Sequence, residues 1–183
     1  MAKITPFSPV KLICGIIASK EEVFNVAEDR LIKLYDAIDN KSSFFPFNYT
    51  DYYEKQMGKN LKRRFISFEQ LMSPERLSEI KICTNTLEEE IKKEFHTEQR
   101  IVNIDPGYLN ASALIMATTK DFAHRIPLQK GIYAHLELLF GRKQVRALSW
   151  TYPDYKAEDY HPFFLEAKRI YLEQIKQLGK NYL

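Results

Sequence analysis

The segment Thr118 to Arg125, TTKDFAHR, sets a lysine, an aspartate, a histidine and an arginine close behind an apolar run. In a helix, Lys120 would meet His124 and Asp121 would meet Arg125 one turn on; in a strand the same two pairs would share faces. A lysine beside a histidine suits an anion. An aspartate beside an arginine orients the guanidinium for bidentate contact with phosphate or carboxylate. The plainer alternative is a solvated turn carrying a surface ion pair worth ~0–1 kcal/mol.

Other chemistry-bearing residues lie nearby in sequence. VNIDPGYLN places Asn103, Asp105 and Tyr108 at a strand end and in the tight turn expected from Pro106 and Gly107, a place where sheets gather ligand groups. For Asp105 the competing reading is local turn hydrogen bonding. Tyr133, His135 and Glu137 alternate along GIYAHLELL and would share one strand face, as an acid/base set or a divalent metal site; alternation favours a plain solvent-facing strand. WTYPDY holds Trp150, Tyr152, Asp154 and Tyr155, which could stack a base or sugar but are explained more simply by packing. The basic run Lys59, Lys62, Arg63 and Arg64 beside Phe65 and Phe68 lacks the glycine and aromatic pattern of an RNA-recognition strand, so a solvated face is expected there.

Several functions are excluded by absent motifs. The sequence has no GxxxxGK[ST] loop, GxGxxG, HExxH, GxSxG or EF-hand loop, and Asn40-Lys41 fails the NKxD pattern because Ser43 stands at the aspartate position. No motif names a cofactor. Cys14 and Cys83 lie in apolar stretches without metal-ligand spacing, as expected of free thiols in a reducing cytosol, and no metal site is expected. A net charge of +3 is too small to mark a dedicated nucleic-acid binder. The apolar run near the N-terminus is too short to span a bilayer and leads straight into a helix-start signal, so no membrane association is expected.

The elements that must position these residues follow from periodicity. Val10 to Ala18 is almost continuously apolar with three isoleucines, which predicts a central strand covered on both faces. Ser19 with Glu22 suggests a capping box, and Val23, Ala27, Leu31, Leu34 and Ile38 follow at helical spacing. The aromatic stretch 40–60 suits an edge strand or ordered loop, and Leu61 to Phe68 reads as a strand. Ser73-Pro74 starts a second helix whose buried stripe is Leu77, Ile80, Leu87, Ile91 and Phe95. A short strand RIVNID follows. Four strand-like segments come next: ASALIMATT, in which Ala111 to Ala117 fits helix as well as strand, then HRIPL, GIYAHLELLF and KQVRALSW. Pro162 opens a last helix with Phe164, Ala167, Tyr171, Ile175 and Leu178 on one face and Gly179 as its stop. The expected fold is one α+β domain over residues 1–183. It has a mixed, mostly antiparallel sheet with about three helices, a βαββαβ start, a β-rich second half and a C-terminal helix.

In VNIDPGYLNASALIMATTKDFAHRIPLQKGIYAHLELLF, with FFPFNYTDYYEKQMG before it and WTYPDY after it, the sequence resembles an uncharacterised bacterial family, domain of unknown function 4416. The likeness covers nearly the whole chain. It implies a small cytoplasmic bacterial protein of one domain with no assigned reaction, and it marks Asn103 to Leu109, Thr119 to Arg125 and Thr151 to Tyr155 as characteristic segments. Some similar sequences carry a GTP-binding label, an alternative that the missing motifs oppose.

Residues and resemblance together favour a domain for a phosphorylated or carboxylated small molecule, either a binding domain or an enzyme, the sequence leaving open which. Lys120, His124 and Arg125 would hold the anion, and Asp105, Asp121 or Glu137 would serve as acid or base. The alternative is a non-catalytic module for RNA or a protein partner, using Lys62, Arg64 and the aromatic segment Phe44 to Tyr53.

Overall fold

The structure, a computed structural model, describes residues 3–50 and 53–179. Strand β1 (Val10–Ala18) is buried at every position and is paired on both sides. Helix α1 (Glu21–Tyr35) follows, then β2 (Ile38–Lys41), β3 (Phe45–Pro46), a single turn α2 (Glu54–Met57) and the long β4 (Lys62–Met72). Helix α3 (Leu77–Glu94) leads to β5 (Val102–Leu109), β6 (Ala113–Thr118), β7 (Ile126–Pro127), β8 (Tyr133–Phe140) and β9 (Val145–Ala147); α4 (His161–Gln177) closes the order. The nine strands of the described residues join one antiparallel sheet in the order β2-β4-β1-β5-β6-β8-β7, with β3 on β4 and β9 on β8. Among the described residues the architecture is α+β with four α-helices. Among the described residues no helix is long and apolar enough to cross a membrane.

The period of two along β1 divides the core. Leu12, Cys14, Ile16 and Ala18 pack with Ile66, Phe68, Val102 and Ile104 under α1 and α3. Ile13 packs with Phe65, Leu109, Met116 and Leu138 under Phe163, Phe164, Ala167 and Tyr171 of α4. Both faces of the sheet are therefore covered, as the unbroken apolar run demands.

Four local expectations are corrected. Helix α1 begins at Glu21 with Lys20 as its cap and no side-chain cap bond, so Ser19 forms no capping box. Asp36 at φ 115 ends that helix, which leaves Leu34 exposed and puts Ile38 in β2. Leu178 lies past the end of α4 and is 55% exposed. The largest change concerns Pro106-Gly107, which makes no turn: β5 runs through both residues to Leu109. Proline is tolerated there because β6 pairs with β5 only from Gly107 to Leu109. The amide and carbonyl of Ile104 face that unpaired edge, so by the two-residue period Pro106 turns its missing N–H the same way and no ladder bond is lost. Gly107 is required where the strands meet, since a Cβ there would stand 2.6 Å from the Ile115 carbonyl oxygen. The segment 111–117, open to either reading, is strand from Ala113 onward, in β6.

Candidate functional site

Upstream of Gly107, β5 and β6 part, and side chains from α3 occupy the gap. The Ile104 N–H donates to Glu88 Oε1 at 2.6 Å, and the Ile104 carbonyl accepts from Lys81 Nζ at 3.0 Å. Arg100 Nε donates to the Val102 carbonyl at 3.0 Å, and its Nη2 donates to Glu88 and to Asn103 Oδ1. An open strand edge is thus satisfied by charged side chains instead of a neighbouring strand. Burial raises the Glu88 carboxyl above its ordinary range, and Arg100 and Lys81 hold it back.

On the α4 face of the sheet, Arg63 of β4 lies across Gly15 of β1. A Cβ at residue 15 would stand 2.7 Å from Arg63 Nη1, 3.1 Å from the Phe65 ring and 3.3 Å from Tyr155 Oη, so glycine is what lets the guanidinium lie flat on the sheet. The Arg63 side chain is 3% exposed. Its Nε sits 3.2 Å from Asp154 Oδ2 and its Nη2 3.5 Å from Asp105 Oδ2, while Nη1 donates to Tyr155 Oη at 3.2 Å. Burial opposes its charge, and Asp154, Tyr155 and Asp105 more than restore it. Asp105 also accepts from Asn103 Nδ2 at 2.6 Å and lies 3.6 Å from Lys81 Nζ. Burial pushes the Asp154 carboxyl up, against the pull of Arg63.

A second polar chain runs beside the first. In β8, Ile115 faces Leu136 and Leu114 faces Leu138, so Glu137 is the extra residue of a bulge. The segment after β9 folds back over this point: Trp150 Nε1 donates to the Leu136 carbonyl at 2.9 Å, Thr151 Oγ1 to the Glu137 carbonyl, and the Tyr152 N–H to Glu137 Oε1 at 2.7 Å. His135 Nε2 is 2.8 Å from Glu137 Oε2, both side chains being fully buried. Arg125 Nε donates to His135 Nδ1 at 3.2 Å and Arg125 Nη2 to Tyr152 Oη at 2.7 Å. The Tyr152 ring stacks on His135 with centroids 5.1 Å apart. Burial raises the Glu137 carboxyl, and His135 opposes the rise.

The two groups share a cavity of about 790 Å³, within the range that holds a small molecule. Arg63, Lys81, Arg100 and Lys120 line it against Glu88, Glu89, Asp105 and Asp154, with Phe47, Tyr53 and Tyr152 supplying ring surface. The family model described as Domain of unknown function (DUF4416) matches residues 8–171, a span that contains every one of these side chains. The chain belongs to the DUF4416 family. No curated protein and no solved structure matches it.

The DUF4416 cavity gathers some of the residues singled out from sequence and leaves others aside. Lys120, Asn103 and Asp105 line it; Asp121, His124, Arg125, Tyr108, Tyr133 and Glu137 do not. Residues 119–125 form neither helix nor strand but an irregular loop, so the expected pairing fails for Asp121: it is exposed and makes no ion pair with Arg125. Arg125 instead spends its guanidinium on His135, Tyr152 and the Lys120 carbonyl, the last at 2.7 Å. His124 stacks on Trp150, with centroids 5.2 Å apart and planes 13° apart. Tyr108 packs between α3 and the sheet, and Tyr133 is half-buried at the start of β8. The solvent-facing reading of His135 and Glu137 is corrected, because residues 148–152 cover that face of the strand.

The basic run divides in the same way. Arg63 is buried in the site, against the expectation of a solvated face, because Asp105 and Asp154 supply its countercharge from distant parts of the chain. Arg64 pairs with Glu28 at 3.1 Å and lies 3.5 Å over the Phe44 ring, and Lys62 is exposed over the same ring. In the aromatic segment Phe44 to Tyr53, Asp51 and Tyr52 lie outside the described residues. Sequence reasoning missed Lys81, Glu88 and Arg100. The available signal was that Lys81, Thr84 and Glu88 recur at helical spacing beside the apolar stripe of α3, and all three are buried.

Proposed function

We propose that this DUF4416 domain binds a small organic anion, phosphorylated or carboxylated, in the cavity between the parted strands. The observation that carries this reading is the placement of Lys81. Its ammonium is drawn from the α3 layer into the cavity wall, beside Arg63 and Arg100, with only 8% of the side chain exposed. Buried charges add little to stability compared with well-packed apolar residues. Cations converging on a space of this size have a use toward a ligand instead. Lys120 is an exposed part of the lining, and Asp105, 25% exposed, is the carboxylate a bound molecule can reach and the best-placed acid or base. The free thiols of Cys14 and Cys83 suit a reducing compartment such as the cytoplasm.

The test is thermal denaturation of the purified chain with inorganic phosphate, phosphorylated metabolites and carboxylates. At a hundred times its dissociation constant a ligand stabilises the folded state by about 2.7 kcal/mol. At least one class should raise Tm, and the rise should shrink in Lys120→Ala and Lys81→Met. A flat response to every class at millimolar concentration would end the proposal.

A second reading, docking of a protein partner, draws on one patch. Phe122 and Ile126 are 64% and 66% exposed ahead of and within β7, close to the stacked His124 and Trp150. A solution mass equal to one chain, unchanged in Phe122→Ser, would count against self-association through it.

A further inference from the structure

We infer that the anion held in this cavity is an acylated α-amino carboxylate with an apolar side chain, its carboxylate on Arg100, its amide N–H on Asp105 and its acyl oxygen on Asn85. This deepens the proposed function and rests on it.

Charge chooses the anion. The four cations of the lining are matched by four carboxylates, and His135, which accepts from Arg125 on Nδ1, adds none. A lining that sums to zero offers a phosphate dianion no excess of positive charge, whereas a carboxylate asks for one guanidinium. Arg100 can give it. Its Nε and Nη2 are spent on Val102, Glu88 and Asn103, but Nη1 makes no hydrogen bond among the described residues, and 28% of the side chain is exposed.

Hydrogen bonding selects the amide. Asp105 Oδ2 accepts from Asn103 Nδ2 at 2.6 Å, whereas Oδ1 has Lys81 Nζ only at 3.6 Å, an ion-pair distance too long for a hydrogen bond, and the side chain is 25% exposed. Lys81 and Arg63 already balance the charge of Asp105, so the donor it can still take is a neutral one. Asn85 lines the same cavity one turn beyond Lys81 on α3, half-buried, with neither its oxygen nor its nitrogen hydrogen-bonded among the described residues. A free acceptor beside a free side-chain amide matches a neutral group that carries both N–H and C=O. Asn103 sets the spacing: it accepts from Arg100 and donates to Asp105, so one side-chain amide separates the guanidinium from the carboxylate. In an α-amino acid, one carbon likewise joins the carboxylate to the acylated nitrogen, and capture of such an end is a recurring mode of recognition. Phe47 and Tyr155, whose rings flank Arg63 at 5.1 and 5.3 Å, supply wall for an apolar side chain, with Met116 against Tyr155.

Isothermal titration of the full chain tests this with N-acetyl-leucine as the probe. It should bind at least about tenfold tighter than isocaproate, which lacks the amide, and than N-acetyl-leucinamide, which lacks the carboxylate. Isoamyl phosphate should bind no tighter than isocaproate. Asn85→Ala should shrink the margin over isocaproate while isocaproate keeps its affinity, a comparison that separates lost recognition from lost folding. A tripeptide ending in leucine identifies the source: tighter binding than N-acetyl-leucine assigns the site to a peptide end, equal or weaker binding to a single acylated residue, and either upholds recognition of amide and carboxylate together. Isocaproate or isoamyl phosphate binding as tightly as N-acetyl-leucine would overturn the inference and leave anion binding standing. Absence of binding by every probe would overturn the inference and, with a flat thermal screen, the reading it rests on.

Discussion

Arg125 donates from Nε to Nδ1 of His135 at 3.2 Å, and this contact fixes which nitrogen of a fully buried imidazole carries the proton. With Nδ1 accepting, the ring hydrogen lies on Nε2, toward Glu137 Oε2 at 2.8 Å. Nδ1 is committed to Arg125, and Nε2 lies fully buried against the Glu137 carboxylate without a hydrogen bond, so His135 acts in positioning Arg125. It holds Arg125, which in turn holds Tyr152 at the cavity wall.

Arg125→Ala should therefore cost about 1–3 kcal/mol in urea denaturation, and Tyr152→Phe about 1 kcal/mol. His135→Phe should cost more, roughly 2–4 kcal/mol, because it leaves Glu137 buried beside an apolar ring. The double variant Arg125→Ala, Tyr152→Phe should fall short of additivity by at least about 0.5 kcal/mol. Strict additivity would mean that the 2.7 Å contact carries no energy.

The buried carboxyls set a pH dependence of definite sign. Burial raises Glu137 above its ordinary 4.5, so the folded chain holds that proton more tightly than the unfolded chain does. Its contribution is fully present below about pH 4.5 and is lost as pH rises through the raised folded value. Glu137→Gln removes this loss. The stability of the variant relative to the parent should improve from pH 4 to pH 8, measured as paired denaturant midpoints. A difference that stays constant over that window would show that Glu137 titrates as if exposed.

Gly15→Ala tests the seat of Arg63. In the middle of a strand, alanine would ordinarily be no worse than glycine, yet here its Cβ would stand 2.7 Å from Nη1 of a guanidinium held by two carboxylates. The expected cost is about 1–3 kcal/mol. Gly141→Ala, where the nearest atom would be 3.6 Å away, should change stability by less than about 0.5 kcal/mol. Equal melting temperatures for the two variants would mean that Arg63 moves aside freely.

The sheet was legible in the sequence wherever burial is two-sided or punctuation is local. The apolar run of β1 and the Ser73-Pro74 start, where Ser73 accepts from the Glu75 N–H, are examples. The site was legible only in part, because its charges are satisfied over long separations. Arg63 read as solvated since nothing beside it in sequence neutralises it; Asp105 and Asp154 do so only after the sheet forms. Asp105 was picked out for a turn that does not exist, and it serves the site because β5 passes through Pro106. Strict alternation gave the wrong surroundings for Glu137, because a bulge and the covering segment 148–152 are tertiary events that leave no local signature.

The loop 119–125 can be followed through Trp150, the single tryptophan of the chain. The His124 ring lies nearly parallel to it at 5.2 Å, and an imidazolium at that distance quenches indole emission where a neutral imidazole does not. Residual burial, His135 and Arg125 all hold His124 below its ordinary 6.5, since each disfavours the charged ring. Emission at 350 nm should therefore drop with acid along a single titration whose midpoint lies below pH 6.5. His124→Gln should abolish the step while His96, His135 and His161 remain. A step that survives in that variant would assign the quenching to another histidine and separate His124 from Trp150 in solution. A midpoint above 6.5 would place a carboxylate beside the ring, where the structure sets His135 and Arg125.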